Sequence, residues 1–174
     1  MDDDARAALT AFCAREHRRL VGSLTLHCGD PHVAAELAQE ALARVCSDWS
    51  RVERMDAPGA WLHRVAVNLA SSHYRRRKAE RAALQRFGSR QVEDPGADPA
   101  PALAVRRAVA ALPLRQRTAL VLRYYSDLSI QQTADAMGCA PGTVKSLTSQ
   151  ALAQLRATAG LTDHLTASEE PSRA

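Results

Sequence analysis

The fifteen residues 88–102, GSRQVEDPGADPAPA, hold three prolines, two glycines and three acids, with Val92 the one branched apolar side chain among them. A stretch of that composition can neither propagate a helix nor supply a core, so it reads as a flexible linker. It divides the 174-residue chain into two parts, each of which must close its own core. We place one domain at residues 1–86, the linker at 87–101, a second domain at 102–161 and a frayed, disordered tail at 162–174.

Both parts read as helical. No run alternates Val, Ile and Thr with polar residues as a half-buried strand would, and aromatic residues make up only 4% of the chain. The expected fold is all-α, two small helical domains joined by the linker, the C-terminal one a helix-turn-helix. Leu9, Phe12, Cys13, Leu20, Val21 and Leu24 form one stripe of a first helix over 4–25. Asp30 before Pro31 marks the start of a second helix, with Leu37, Ala41 and Val45 inside and an end near Trp49. A polar connector, SDWSRVERMDAP, leads to a third helix with Trp61, Leu62, Val65, Ala66 and Leu69 facing inward. Beyond the linker the pattern predicts helices over 103–112 and 114–125, with Leu120, Val121 and Tyr124 on the apolar side of the latter. Ser129 and Gln132 fit a capping box that opens another helix, and Pro141 opens the last.

The formal net charge is only +4, but residues 28–60 carry −3, 61–90 carry +7, 91–104 carry −3 and 105–130 carry +4. Two basic blocks separated by an acidic linker suit an extended polyanion touched in two places. No apolar run reaches the ~18 residues that span a bilayer. The opening MDDDARAAL is acidic where an export signal is basic, so a cytoplasmic protein without membrane insertion is expected. Its four cysteines then read as reduced, small, buried side chains. Cys13, His17, Cys28 and His32 lack the paired Cys-x-x-Cys spacing of a zinc site, and no metal or cofactor is expected. Enzymatic chemistry has no foothold, since there is no phosphate-binding glycine loop, nucleophile elbow or carboxylate dyad.

Two segments carry the functional signal. Residues 130–150 have helix-turn-helix spacing: a small Ala134 where two helices cross, Gly138 able to take a left-handed turn, and Val144 and Leu147 directed inward. A helical hairpin within a bundle shares that spacing. Thr143, Lys145, Ser146, Thr148, Ser149 and Gln150 are left facing outward. Between Gly138 and Leu161 only Lys145 and Arg156 are charged. In SSHYRRRKAER, Arg75, Arg76, Arg77, Lys78 and Arg81 cover more than one helical face with Glu80 the one nearby acid, which suits phosphate contacts. Alone, such a run also fits a solvated helix end.

Taken together, four stretches in order resemble an extracytoplasmic-function sigma factor of bacterial RNA polymerase, similar in layout to small actinobacterial members. They are AELAQEALARV (35–45), DAPGAWLHRVAVNLASSHYRRR (56–77), ALPLRQRTALVLRYYSDLSIQQTADAMG (111–138) and GTVKSLTSQALAQLR (142–156). The resemblance implies a factor that binds core polymerase through its beta and beta-prime subunits, recognises −10 and −35 promoter DNA and promotes strand opening without an enzymatic step. It places Glu36, Leu37, Gln39, Glu40 and Ala43 on the polymerase-docking helix. It places Trp49, Arg64, Asn68, Ser72, His73, Arg75, Arg76, Arg77 and Lys78 at the −10 element, with residues 47–58 forming a pocket for an unstacked base. It places Thr143, Lys145, Ser146, Ser149 and Gln150 at the −35 element, with Arg115, Arg117 and Arg123 adding attraction to the DNA backbone or, for some of them, facing the polymerase flap. Members of the family are often held inactive by an anti-sigma factor. A stand-alone helix-turn-helix regulator, binding duplex operators without polymerase, is the alternative function. The chain departs from the family where Ala35 and Ser72 replace common acids, and where Leu147 and Gln150 replace frequent arginines.

Overall fold

The computed structural model describes residues 2–85 and 100–159, and among these every regular element is helical. Most of the expected linker and the whole tail lie outside the described residues. The first unit comprises α1 (Asp3–Cys28), α2 (Pro31–Ser47), the single turn α3 (Trp49–Val52) and α4 (Pro58–Gln85). The second comprises α5 (Ala100–Ala111), α6 (Leu114–Leu120), a π-helical turn (Val121–Tyr125), α7 (Ile130–Met137) and α8 (Pro141–Ala159).

Local chemistry sets the helix ends. Asp2 accepts a hydrogen bond from the Ala5 amide at 2.8 Å, and Asp3 and Asp4 place negative charge at the positive end of α1. Gly29 takes a left-handed conformation, φ 78°, and returns its amide to the Thr25 carbonyl, which stops α1. The Asp30 carboxylate then accepts from the His32 and Val33 amides at 2.8 and 3.3 Å, so α2 starts at once and folds back on α1. α4 closes the first core, in which Leu20, Leu24, Val45, Val52 and Leu62 are sealed from solvent. Each of those side chains contributes about 1.5–3 kcal/mol of transfer free energy.

In the second unit the Ser129 hydroxyl accepts from the Gln132 amide at 3.1 Å while the Gln132 side chain accepts from the Ser129 amide at 2.8 Å, the expected capping box. Gly138, φ 60°, ends α7 in the left-handed region, as its position implies. Ala134 is buried where α7 meets α8, and Val144 is fully enclosed.

Several expectations need correction. α1 runs to Cys28, a turn beyond 25, because its stop is Gly29. The connector 47–58 is not wholly polar: Trp49 and Val52 are core residues of α3, and the Trp49 ring packs on Phe12 with centroids 5.4 Å apart. Trp61 is only half-buried and lies under the Arg51 guanidinium at 5.8 Å. Helix 114–125 is α-helical only to Leu120. At its end the Ser126 amide donates to the Val121 carbonyl five residues back, a wider turn that leaves Tyr124 exposed instead of apolar-facing. Cys46 is exposed and the other three cysteines are half-buried.

Candidate nucleic-acid interface

α4 has three faces. Leu62, Ala66 and Ala70 enter the first core. Ala60, His63 and Val67 point toward the second unit. Arg64, Asn68, Ser72, Arg75 and Arg76 are exposed along one stripe, with Lys78 exposed beyond it. That stripe is what the spacing i, i+4, i+8, i+11 produces on a helix. The Arg75 guanidinium donates to the Ser72 hydroxyl at 3.3 Å, and Arg76 lies 3.7 Å from Glu80 one turn on. His73 and Arg77 are half-buried at the stripe's edge. Trp49, expected among these residues, is in the core and is not brought to them.

α8 is anchored by Val144 and Ala151, both fully buried, so its opposite side faces solvent. Lys145, Ser146, Ser149 and Gln150 are exposed there or at its edge, and Thr143 is half-buried at the helix start. Thr148 turns its hydroxyl back onto the Val144 and Lys145 carbonyls at 2.8 and 3.0 Å, which removes it from the reading face. Gln150 donates to the Ser146 hydroxyl at 3.3 Å and accepts from the Gln116 amide at 3.1 Å. Those bonds fix an amide that would otherwise swing freely, lowering the entropy lost when it meets a base edge.

On α2, Glu36, Gln39, Glu40 and Ala43 lie exposed on one side, with Glu40 paired to Arg44 at 2.7 Å. Leu37 belongs to the opposite side, buried with Ala34, Ala38, Ala41 and Val45, so it supports this surface from beneath instead of forming it. Arg115 is exposed. Arg117 is not available for a DNA backbone: it donates to the carbonyls of Ala110, Leu112 (3.1 Å) and, across the two units, His27 (2.8 Å). Arg123 is likewise turned inward to the Leu128 carbonyl.

The seam that captures Arg117 escapes sequence reading. The Thr118 hydroxyl donates to the Leu114 carbonyl, so the His27 Nδ1–H, 3.4 Å away, is the donor to Thr118. The His27 Nε2 is then buried without a partner, and burial reinforced by the Arg117 charge lowers the imidazole to about 4. His63 sits 3.3 Å from the Ser126 hydroxyl and is also lowered to about 4, by burial, against an upward pull from Glu16. Imidazoles this deep are held in the neutral form.

Comparison with known proteins agrees with both helical units. Residues 13–80 match the family description "Sigma-70 region 2" and residues 102–155 match "Sigma-70, region 4". The chain is similar to the RNA polymerase sigma-E factor of Streptomyces antibioticus, 35% identical over 127 residues covering 73% of this chain and 71% of that one. It is 34% identical over 142 residues to the RNA polymerase sigma-E factor of Streptomyces coelicolor, covering 82% and 76% respectively. Its fold is similar to that of the sigma factor RpoE of Bartonella quintana, solved in complex with the anti-sigma factor NepR. The TM-score is 0.78 at 23% identity, over 88% of this chain and 98% of that one.

Proposed function

The chain belongs to the extracytoplasmic-function sigma factors of the sigma-70 family, and from that premise we infer how its own residues divide the work of an RNA polymerase sigma factor. The observation that carries the assignment is the pair of exposed polar stripes, one on α4 and one on α8, each lying inside one of the two matched regions.

The α4 stripe takes the −10 element. Arg75, Arg76, Arg77 and Lys78 meet phosphates, while Arg64, Asn68, Ser72 and His73 face the bases of the opened strand. The α8 stripe takes the −35 element in the major groove, with Lys145 on phosphate or guanine and Ser146, Ser149 and Gln150 on base edges. Glu36, Gln39, Glu40 and Ala43 on α2 form the docking surface for core polymerase, their acidity suited to a basic partner. An anti-sigma factor is a further expected partner, as in the Bartonella complex. The protein acts by binding energy alone, without a catalytic step, and works in the cytoplasm where the promoter is. Its working domains correspond to residues 1–86 and 102–161.

Arg117, Arg123 and Trp49 have no place in this assignment, since the fold uses them internally. The α8 face carries one cation, so attraction comes mainly from the α4 cluster and from tethering on polymerase, and α8 discriminates. Reconstitution with core polymerase and a cognate promoter tests the assignment. Promoter-specific transcripts are expected, and a chain that neither binds core enzyme nor directs initiation overturns it.

A further inference from the structure

Two carboxamides and a hydroxyl form a short relay between α6 and α8. Gln116 of α6 donates from its Nε2 to the Gln150 Oε1 at 3.1 Å. Gln150 donates in turn from its own Nε2 to the Ser146 hydroxyl oxygen at 3.3 Å, one turn back along α8. Gln150 and Ser146 are exposed, whereas Gln116 is half-buried and its Oε1 is shut away from solvent without a donor.

Burial decides which way the relay runs. An NH2 in the enclosed place would bring two donors that need acceptors, and buried N–H groups tolerate being orphaned less than carbonyl oxygens do. The Gln116 nitrogen therefore points outward, and Gln150 meets a donor there. Held at its oxygen by Gln116 and at its nitrogen by Ser146, the Gln150 amide is kept from turning over. The backbone beneath it is held as well, because Ala151, the next residue, is fully enclosed in one core with Leu112 and Leu120.

A carboxamide has two N–H donors and two lone pairs on its oxygen. The relay uses one of each, which leaves Gln150 one donor and one acceptor to offer the groove. On the major-groove edge adenine shows a donor at N6 beside an acceptor at N7. Guanine shows two acceptors, cytosine a donor, and thymine an acceptor beside a methyl group. The arginine frequent at this position among relatives offers two donors in a fork, which suits guanine.

Resting on the assignment of α8 to the −35 element, we propose that Gln150 reads an adenine there, in place of the guanine an arginine would take, and that Gln116 of α6 is the positioning residue that sets its amide the right way round. Gln116 touches no base itself. Its effect is confined to the base pair under Gln150 and leaves the rest of the element alone. Ser146, having accepted from Gln150, keeps its own hydroxyl hydrogen for an acceptor on a neighbouring base.

Holoenzyme formed with the full-length chain tests this by selecting −35 sequences from a pool randomised across that element, followed by competition on single-base variants. Wild type should show one base pair at which adenine is favoured by roughly tenfold. Gln150→Arg should change that preference to guanine and leave the other positions as they were. Gln116→Leu, close in volume and without a donor, should cut the adenine preference severalfold at that base pair alone. Gln116→Glu, the same shape and unable to donate when ionised, should do likewise. In a Gln150→Ala background Gln116→Leu should alter the base profile no further, since a residue acting only through Gln150 has nothing left to position. A structural role for Gln116 would instead shift every position alike. Any base other than adenine at the position that Gln150→Arg alters overturns the reading, and a wild-type profile in both Gln116 variants overturns the positioning role. A defined −35 preference in the wild type under those results keeps the α8 assignment standing. Wild-type holoenzyme that selects no −35 sequence strikes that assignment, and the adenine reading with it.

Discussion

The Arg117 guanidinium donates to the His27 carbonyl at 2.8 Å, joining residues 90 positions apart in the chain. The same side chain satisfies the carbonyls of Ala110 and Leu112, so one cation ties the end of α5, the start of α6 and the end of α1.

Arg117→Ala therefore leaves up to three carbonyls short of a donor. The expected loss is about 2 kcal/mol, read as a fall in Tm of roughly 5 °C by calorimetry. Because this arginine is turned away from solvent, the salt dependence of promoter binding should stay as in wild type. A changed salt slope would return Arg117 to the DNA.

The α4 cluster behaves in the opposite way. Replacing Arg75, Arg76 and Arg77 with alanine should weaken promoter binding by the holoenzyme. It should also reduce the slope of log K against log salt by about 2, from ~0.7 for each of three phosphates no longer neutralised on a single strand. Melting temperature should change little for the exposed Arg75 and Arg76. Fluorescence anisotropy across a salt series measures it, and an unchanged slope would remove these residues from the phosphates.

On α8 the two kinds of contact separate. Lys145→Ala should lower affinity for all −35 sequences alike, with a slope change of about 0.9. Gln150→Ala should relax discrimination at one −35 position by about 1–2 kcal/mol, with the salt slope unaltered. Competition binding on a panel of single-base −35 variants distinguishes these patterns.

Acid should open the seam. His63 faces Glu16 and Arg19 of α1 and Ser126, while His27 faces Arg117 and Thr118 of α6, and both imidazoles are held near 4 in the closed form. Released, each returns toward its ordinary value of 6.5, so the open form binds more protons below that pH. Closure is thus independent of these groups above pH 6.5 and weakens as pH falls toward 4, by on the order of 2 kcal/mol per histidine at pH 5. The radius of gyration should rise between pH 6.5 and 5, and His63→Gln should flatten that rise. A radius constant across the window would contradict it.

Legibility in the sequence tracks the range of the interactions. The Asp30–Pro31 start, the Ser129–Gln132 box and the Gly138 stop are each written within four residues, and the structure has all three. The inward stripe of α1 is equally plain because a 3.6-residue period repeats along it. Leu37 is buried as the period of α2 implies, although the resemblance also sets it on an interface, whereas Trp49 stands in a polar connector where nothing local shows that its ring turns to the core. The π-helical turn adds one residue to a run that still looks helical, so periodicity carries Tyr124 to the wrong side. Arg117 reads as one more cation in a basic block, since its partner carbonyl belongs to a helix 90 residues earlier. His27 and His63 have no neighbours in sequence that would mark them.

The seam also has a history within each molecule's synthesis. Within the first unit Phe12 and Trp49 meet across 37 positions, whereas Arg19–Tyr125, His27–Arg117 and His63–Ser126 span 106, 90 and 63. Contacts between residues far apart in the chain form late, after the loop between them has been closed. The first unit can therefore mature on the ribosome while the second is still being translated. Docking of the halves is then the last folding event, and a nascent chain passes through an open stage before its two units first meet.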